Sequence, residues 1–374
     1  MSPAASPFSG SYHEAREKFL LAATNAFARV TAIEHPLSGP AGETLAIDIG
    51  WLGPEDASTV LLCLSGVHGA EGYAGSAAQI AWLNSAAPQN LPQDLAILMV
   101  HGVNPWGFAY GLRGTEDNID INRNWLDHSR PHPANPLYEQ IHAVLCPDDL
   151  SASSVDAMLD AGGRFVEQHG QWALEDAISR GQYTHADGYH FGGTSLSWST
   201  QQLQHIVATY FGHAKKVAYV DFHSGPVGNG ETIFLCFSEP TSAAHKRAGS
   251  WWGQDALMPA NVEKQWGSRR PTRHGIVFWG LEQLLKDHAN VTGAVVEFCS
   301  AKSRSDVRYV MRVPMVERWM RFVGGLDGPE APGYLQEIRE NYAPQRGDWE
   351  RKVAAGAIDV LNKAVAGAGK WSAD

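Results

Sequence analysis

The chain has 374 residues, 44% of them hydrophobic, enough to fill the core of one large α/β domain or two ordinary ones. Its formal net charge is −11 and nowhere do five Lys or Arg residues run together, so a nucleic acid or an anionic membrane surface is not the expected partner. The longest apolar runs, such as Leu95 to Val100, fall far short of the ~20 residues that cross a bilayer, which leaves no candidate membrane span.

Near the N-terminus the segment His13 to Lys18 is charged before its apolar residues begin, the wrong order for a secretory signal, and a cytoplasmic location is expected. Cys63, Cys146, Cys236 and Cys299 are far apart with no Cys-x-x-Cys pair, and three of them sit in apolar strand-like runs. They read as buried free thiols rather than disulfides or zinc ligands.

From 12 to 30, Phe19, Leu20, Ala23, Phe27 and Val30 recur among charges with the period of an amphipathic helix. Thr44 to Trp51 alternates as a strand, and Val60 to Leu64 is an apolar run too short to be anything but a buried strand. That strand leads into Gly66-Val67-His68-Gly69-Ala70-Glu71-Gly72, a glycine-rich turn presenting an imidazole and a carboxylate three residues apart. If the chain enters a helix there, both side chains lie on one side and could hold a metal ion. A helix over 74–84 and a strand over 95–101 follow, and Gly102 to Gly107 reads as irregular because of its Pro and Gly.

Strand, site loop, helix, strand is the grammar of an α/β fold that binds ligands at its strand ends. Residues 126–200 depart from it, with Pro131, Pro133, Pro136 and Pro147, helical stretches near 137–145 and 153–180, and a Gly/Tyr/His-rich segment from Gly181 to His190. This is expected to be an insertion on one rim of the sheet. A helix over 199–213, strands over 216–222 and 231–237, a helix around 277–288 and a strand over 293–299 complete the sheet, and 310–374 is a mostly helical extension. With no internal repeat or low-complexity linker, a single domain over 1–374 is expected.

Four strand ends or loops carry unusual polar residues: His68 with Glu71, Asn122 with Arg123, His223, and Glu297. Each has a bland explanation, a satisfied histidine or a salt-bridged acid. Glu297 is the most telling, because a carboxylate inside Ala-Val-Val-Glu-Phe-Cys is expensive to bury without a metal or a catalytic task.

Taken in order, His-x-x-Glu, Asn104-Pro105-Trp106-Gly107-Phe108, Asp120-Ile121-Asn122-Arg123-Asn124-Trp125, Asp221-Phe222-His223-Ser224 and Glu297-Phe298 resemble the zinc carboxypeptidase superfamily. The resemblance covers about residues 45–125 and 215–300, and its Asn-Pro and Asn-Arg stretches look like those of carboxypeptidase A-type enzymes almost letter for letter. It implies a mixed, mostly parallel twisted sheet with helices on both faces. It also implies one zinc ion on His68, Glu71 and His223, with Asp120 holding His68 in its tautomer and Glu297 as general base.

Two neutral imidazoles and one carboxylate leave zinc with net positive charge and an open position, so that bound water drops from a pKa of ~15.7 to ~7. Arg113, the only arginine between the Asn-Pro turn and Asn122, is the candidate to stabilise the oxyanion, and Asn122 and Arg123 would grip a substrate carboxylate. Carboxypeptidase A-like enzymes also place a mobile tyrosine over the substrate from the loop before the base. Here no tyrosine lies between His223 and Glu297, and Trp251, Trp252, Trp266, His274 and Trp279 fill that slot.

The function implied is hydrolysis of an amide bond adjacent to a free carboxylate, in a peptide or small-molecule substrate. An N-acyl amino acid deacylase, like aspartoacylase or succinylglutamate desuccinylase, is the alternative with the same metal chemistry. A catalytically inactive binding protein on the same scaffold would be expected to lack a ligand or the base, and all four are present. A serine hydrolase would need a Gly-x-Ser-x-Gly elbow, which does not occur.

Overall fold

In the computed structural model, which describes residues 6–225, 231–257, 273–300 and 307–371, the apolar runs become the strands of one mixed sheet. Its members are β1 (Arg29–Ser38), β2 (Thr44–Leu52), β3 (Thr59–Ser65), β4 (Leu95–His101), β5 (Lys216–Gly225), β6 (Thr232–Leu235) and β7 (Asn290–Cys299). Their order is β1-β2-β4-β3-β5-β7-β6. The four central strands β4, β3, β5 and β7 run parallel, and β1, β2 and β6 pair antiparallel at the flanks. The central strands are buried on both faces, which is why they read as continuous apolar runs rather than as alternation.

Helices cover both faces, as the α/β expectation requires. On one, α1 (Tyr12–Asn25), α2 (Gly72–Leu83), α9 (Ala243–Trp252) and the long C-terminal α13 (Gly347–Gly369) bury Phe19, Trp82, Trp252 and Leu361. On the other, α8 (Trp198–Tyr210) and α10 (Val277–Leu285) bury Leu203, Phe278 and Leu281. The indole N–H of Trp82 donates to Asn362 Oδ1 at 3.0 Å, so the C-terminal helix is stitched to the helix that follows the His-x-x-Glu turn.

Three local expectations are corrected. The helix read over 12–30 ends at Asn25, and β1 begins at Arg29; this edge strand buries only His35, so it offered no apolar alternation to read. The segment 102–107, read as irregular, opens a short helix α3 (Pro105–Tyr110), because Asn104 caps it by accepting from Gly107 N at 2.9 Å and Pro105 suits the first turn. The stretch read as one helix over 153–180 is two, α6 (Ala152–His169) and α7 (Gln171–Ser179), broken at Gly170 with φ +89°.

With α5 (Pro136–Leu145), helices α6 and α7 make a small core of their own around Tyr138, Ile141, Phe165 and Tyr189. Met315 of α11 (Val307–Trp319) packs into it. The remaining chain is α12 (Ala331–Tyr342) before α13, and all four cysteines are buried, with no disulfide among the described residues. No helix among the described residues is long and apolar enough to cross a membrane.

Candidate active site

The site lies beyond the C-terminal ends of the parallel strands. His68 precedes a tight turn, Gly69–Glu71, that runs straight into α2, so Glu71 returns to the same side as His68. This turn packs backbone to backbone on α3: a Cβ at Gly69 would stand 2.0 Å from the Gly107 carbonyl carbon, and one at Gly107 would stand 2.6 Å from the Gly114 carbonyl oxygen. Gly69 N and Ala70 N donate to the carbonyls of Arg113 and Leu112 at 3.1 and 2.8 Å, locking the His68–Glu71 turn to the loop that carries Arg113.

On β5, Tyr219, Asp221 and His223 alternate onto one face, and parallel pairing sets His223 directly opposite Glu297 of β7. The result is a buried cluster. Glu71 Oε1 lies 2.9 Å from His68 Nδ1, Glu71 Oε2 lies 2.8 Å from His223 Nδ1, and the two Nδ1 atoms are 3.1 Å apart. Behind them, His68 Nε2 meets Asp120 Oδ1 at 3.1 Å and His223 Nε2 meets Asp221 Oδ2 at 2.8 Å. Asp221 also accepts from the Tyr219 hydroxyl at 2.9 Å, and Ser224 N donates to Glu71 Oε2 at 3.1 Å.

With both rings neutral and each proton on the Nε2 that faces its carboxylate, the Nδ1 lone pairs face one another. Such an arrangement is repulsive without a cation between. The donor set therefore fits a divalent metal: one carboxylate and two imidazoles able to be neutral, buried, with ligand atoms within 4.8 Å of one another and with Glu71 lining a cavity.

Electrostatics follow the same logic. Burial acts to raise the Glu71 carboxyl, but His68 and His223 outweigh it and hold it below the ordinary range. Burial likewise acts against the Asp120 carboxylate, and the Arg113, His68 and Arg123 charges hold it well below normal. Burial lowers His223, yet Asp221 and Glu71 raise it well above an ordinary imidazole, so both carboxylates favour positive charge at this point. Glu297 moves the other way: burial and then the Glu71 charge raise it.

Arg113 donates from Nη1 to Glu71 Oε1 at 3.0 Å and from Nη2 and Nε to Asp120 Oδ2 at 3.2 and 3.3 Å. Its Nη2 also lies 2.9 Å from His68 Nε2; with both carrying hydrogens this is two donors side by side, sharing Asp120. A cavity of about 350 Å³ opens here, lined by Glu71, Arg113, Asp120, Glu297 and two tyrosines, Tyr189 and Tyr342.

Asn122 and Arg123, on the short helix α4 (Ile121–Asn124), are buried beside this group, but their polar atoms are engaged elsewhere. Arg123 donates from Nε and Nη2 to the Ser179 carbonyl at 3.0 and 2.7 Å and from Nη1 to its neighbour's carbonyl at 2.6 Å. Asn122 Oδ1 accepts from Val277 N at 3.1 Å. Among the aromatic residues expected to wall the pocket, Trp252 donates to Val360 O, Trp251 packs on Trp371, and Trp279 donates to Phe237 O, all away from the cavity. His274 sits near Arg180, and Trp266 lies outside the described residues. The phenols come instead from the 181–190 segment and from α12.

Sequence reasoning quoted Asp221 within its motif but gave it no role, although its place two residues before His223 on a strand was a usable signal. It also overlooked His190, whose Nε2 is 3.9 Å from Asp120 Oδ2 and whose backbone has φ +46°. Burial, then the charges of Arg113 and Arg123, keep that imidazole neutral. His142, His185 and Asp187 form a second group of ligand-type side chains. There the two rings stack at 3.7 Å and 19°, so their lone pairs run side by side instead of converging, and Asp187 is bound by Arg318 at 2.7 Å. That group joins α5 to the 181–190 segment through the stacked rings, with Asp187 paired to Arg318.

Among solved structures, the chain is similar to thrombin activatable fibrinolysis inhibitor (13% identity, TM-score 0.46, covering 96% of this chain and 76% of that one). It is also similar to carboxypeptidase A from Helicoverpa armigera (11%, 0.41, 88% and 73%) and succinylglutamate desuccinylase from Chromobacterium violaceum (15%, 0.35, 91% and 76%). These likenesses are distant, and the chemistry is carried by the site's own geometry. No curated protein matches the chain. A family model described as "Protein of unknown function (DUF2817)" matches residues 8–356, and the chain belongs to that family.

Proposed function

We propose that this protein is a zinc-dependent hydrolase that cleaves an amide bond adjacent to a free carboxylate. The observation that carries the reading is the pair of Nδ1 atoms 3.1 Å apart, each imidazole backed by its own aspartate and both touching Glu71. His68, Glu71 and His223 would hold the metal, which when bound polarises the scissile carbonyl and makes water acidic enough to ionise near neutral pH.

The protein's own groups supply the rest. Glu297 faces the cavity opposite His223, and its raised pKa suits a base that takes a proton from the attacking water and returns it to the departing amine. Arg113 remains cationic, because Asp120 and Glu71 outweigh the cost of burying it, and it presents N–H donors at the cavity wall where the carbonyl oxygen becomes negative. Arg123 is the proposed carboxylate anchor: it is a buried guanidinium whose hydrogen bonds go to neutral carbonyls and whose charge already acts on the Asp120 carboxylate.

Peptides with a free C-terminus and N-acyl amino acids both present such an amide. The test is turnover of both classes by protein stripped with a chelator and then reloaded with zinc. Activity that vanishes on stripping and returns with zinc is expected; chelator-resistant amide hydrolysis overturns the proposal. Turnover of N-acyl amino acids alone would assign the deacylase branch.

A further inference from the structure

The loop that carries Arg113 is irregular, yet its backbone is gripped from two sides. On the metal side, Gly69 N and the Asn104 side-chain amide both donate to Arg113 O, at 3.1 and 3.2 Å. On the other side, α11 delivers Glu317, 7% exposed, whose Oε1 accepts from Arg113 N at 2.8 Å and Gly114 N at 3.2 Å. One turn further, Arg321 donates to the carbonyls of Thr115 and Gly114, both at 2.9 Å, and its Nε lies 3.5 Å from Glu317.

A single i,i+4 ion pair thus takes both N–H groups of 113–114 and both carbonyls of 114–115. The Arg321 guanidinium also lies over the ring of Trp106, 5.0 Å from its centroid, in the Asn-Pro-Trp-Gly stretch that packs on the His68 turn. Arg321 stands in a π-helical turn, Met320–Gly324, that widens the end of α11, a rare deformation that is frequent at functional sites.

We propose that Glu317, paired with Arg321, is a positioning residue for Arg113, so that the C-terminal helices complete the active site. The inference rests on the oxyanion role proposed for Arg113. Arg113 has four side-chain torsions, and its guanidinium reaches the carbonyl oxygen only if the loop beneath it holds its place. Misplacement by about 1 Å is enough to cost ~100-fold in rate. A buried carboxylate accepting two backbone N–H groups fixes that loop, and the cation four residues on offsets its charge.

The test is a double-mutant cycle read as kcat, KM and bound zinc on the full-length protein. Glu317→Ala is expected to lower kcat at least tenfold with KM and zinc content little changed, and to add nothing in an Arg113→Met background. Glu317→Gln, whose amide oxygen still accepts both N–H groups, should recover most of the loss. Should Glu317→Ala fail to fold, Arg321→Gln, which releases the two carbonyls, must show the same lack of additivity. Losses that add to that of Arg113→Met, or a Glu317→Ala enzyme at wild-type kcat, overturn the positioning role alone. An Arg113→Met enzyme with undiminished kcat overturns both this inference and the oxyanion assignment on which it rests.

Discussion

His68 Nδ1 and His223 Nδ1 face one another at 3.1 Å across a buried carboxylate, although 155 residues separate them along the chain. Their orientation is imposed from behind, by Asp120 on one ring and Asp221 on the other. The aspartates should therefore set metal affinity without touching the metal. His223→Ala should abolish stoichiometric zinc. Asp221→Asn, which keeps the shape but removes the charge that draws the proton to Nε2, should weaken binding about 10- to 100-fold. Competition against a chromogenic chelator measures both, and an Asp221→Asn protein with wild-type affinity would show that the tautomer argument is mistaken.

Glu297 occupies the β7 position opposite His223, and its burial with the Glu71 charge nearby raises its pKa above that of an ordinary carboxylate. A base works when ionised, so kcat/KM should fall as pH drops through that raised value. Glu297→Gln should keep its zinc and lose roughly 100- to 10,000-fold in kcat, flattening the acid limb. A Gln variant that retains both rate and limb would mean the proton is taken elsewhere.

How much of this was legible beforehand depended on the range over which each residue acts. His68, Glu71, His223 and Glu297 stood out because each is a polar residue at a strand end or in a short turn, whereas Asp120 came only from the resemblance of its motif; the structure brings all five together. Asp221 was equally local and was given no role. Glu317 and Tyr342 were beyond reach: Glu317 meets Arg113 across 204 residues, and nothing in the helical pattern of α11 or α12 distinguishes a side chain that grips a loop from one that faces solvent. Arg123 shows the opposite difficulty. Its motif was plain, but its seat on the Ser179 carbonyl depends on the helix break at Gly170 and on where α7 ends.

Arg123 makes its hydrogen bonds to carbonyls, and those carbonyls would be left without donors if it were shortened. Some general loss is therefore expected from Arg123→Ala. The specific effect should appear in the comparison of substrates: KM should rise more for a free-carboxylate substrate than for its C-terminal amide. Equal increases for the two would remove the carboxylate from the recognition scheme and confine Arg123 to holding α7.

Glu282, on α10, lies away from the cavity and provides a check on the electrostatics of the scaffold. Burial alone raises its carboxyl from an ordinary 4.5 to about 7, with no partner to offset it. For an acid whose folded pKa exceeds its unfolded one, the native state holds the proton more tightly. Its stability contribution is full below about pH 4.5 and is lost as pH rises through 7. Glu282→Gln, neutral at every pH, should thus melt close to the wild type at pH 4.5 and above it at pH 8. Because the side chain is only half-buried, solvent screening will reduce the difference below what the full shift implies. Melting curves for the two proteins that stay parallel from pH 4.5 to 8 would place the Glu282 carboxyl back in water.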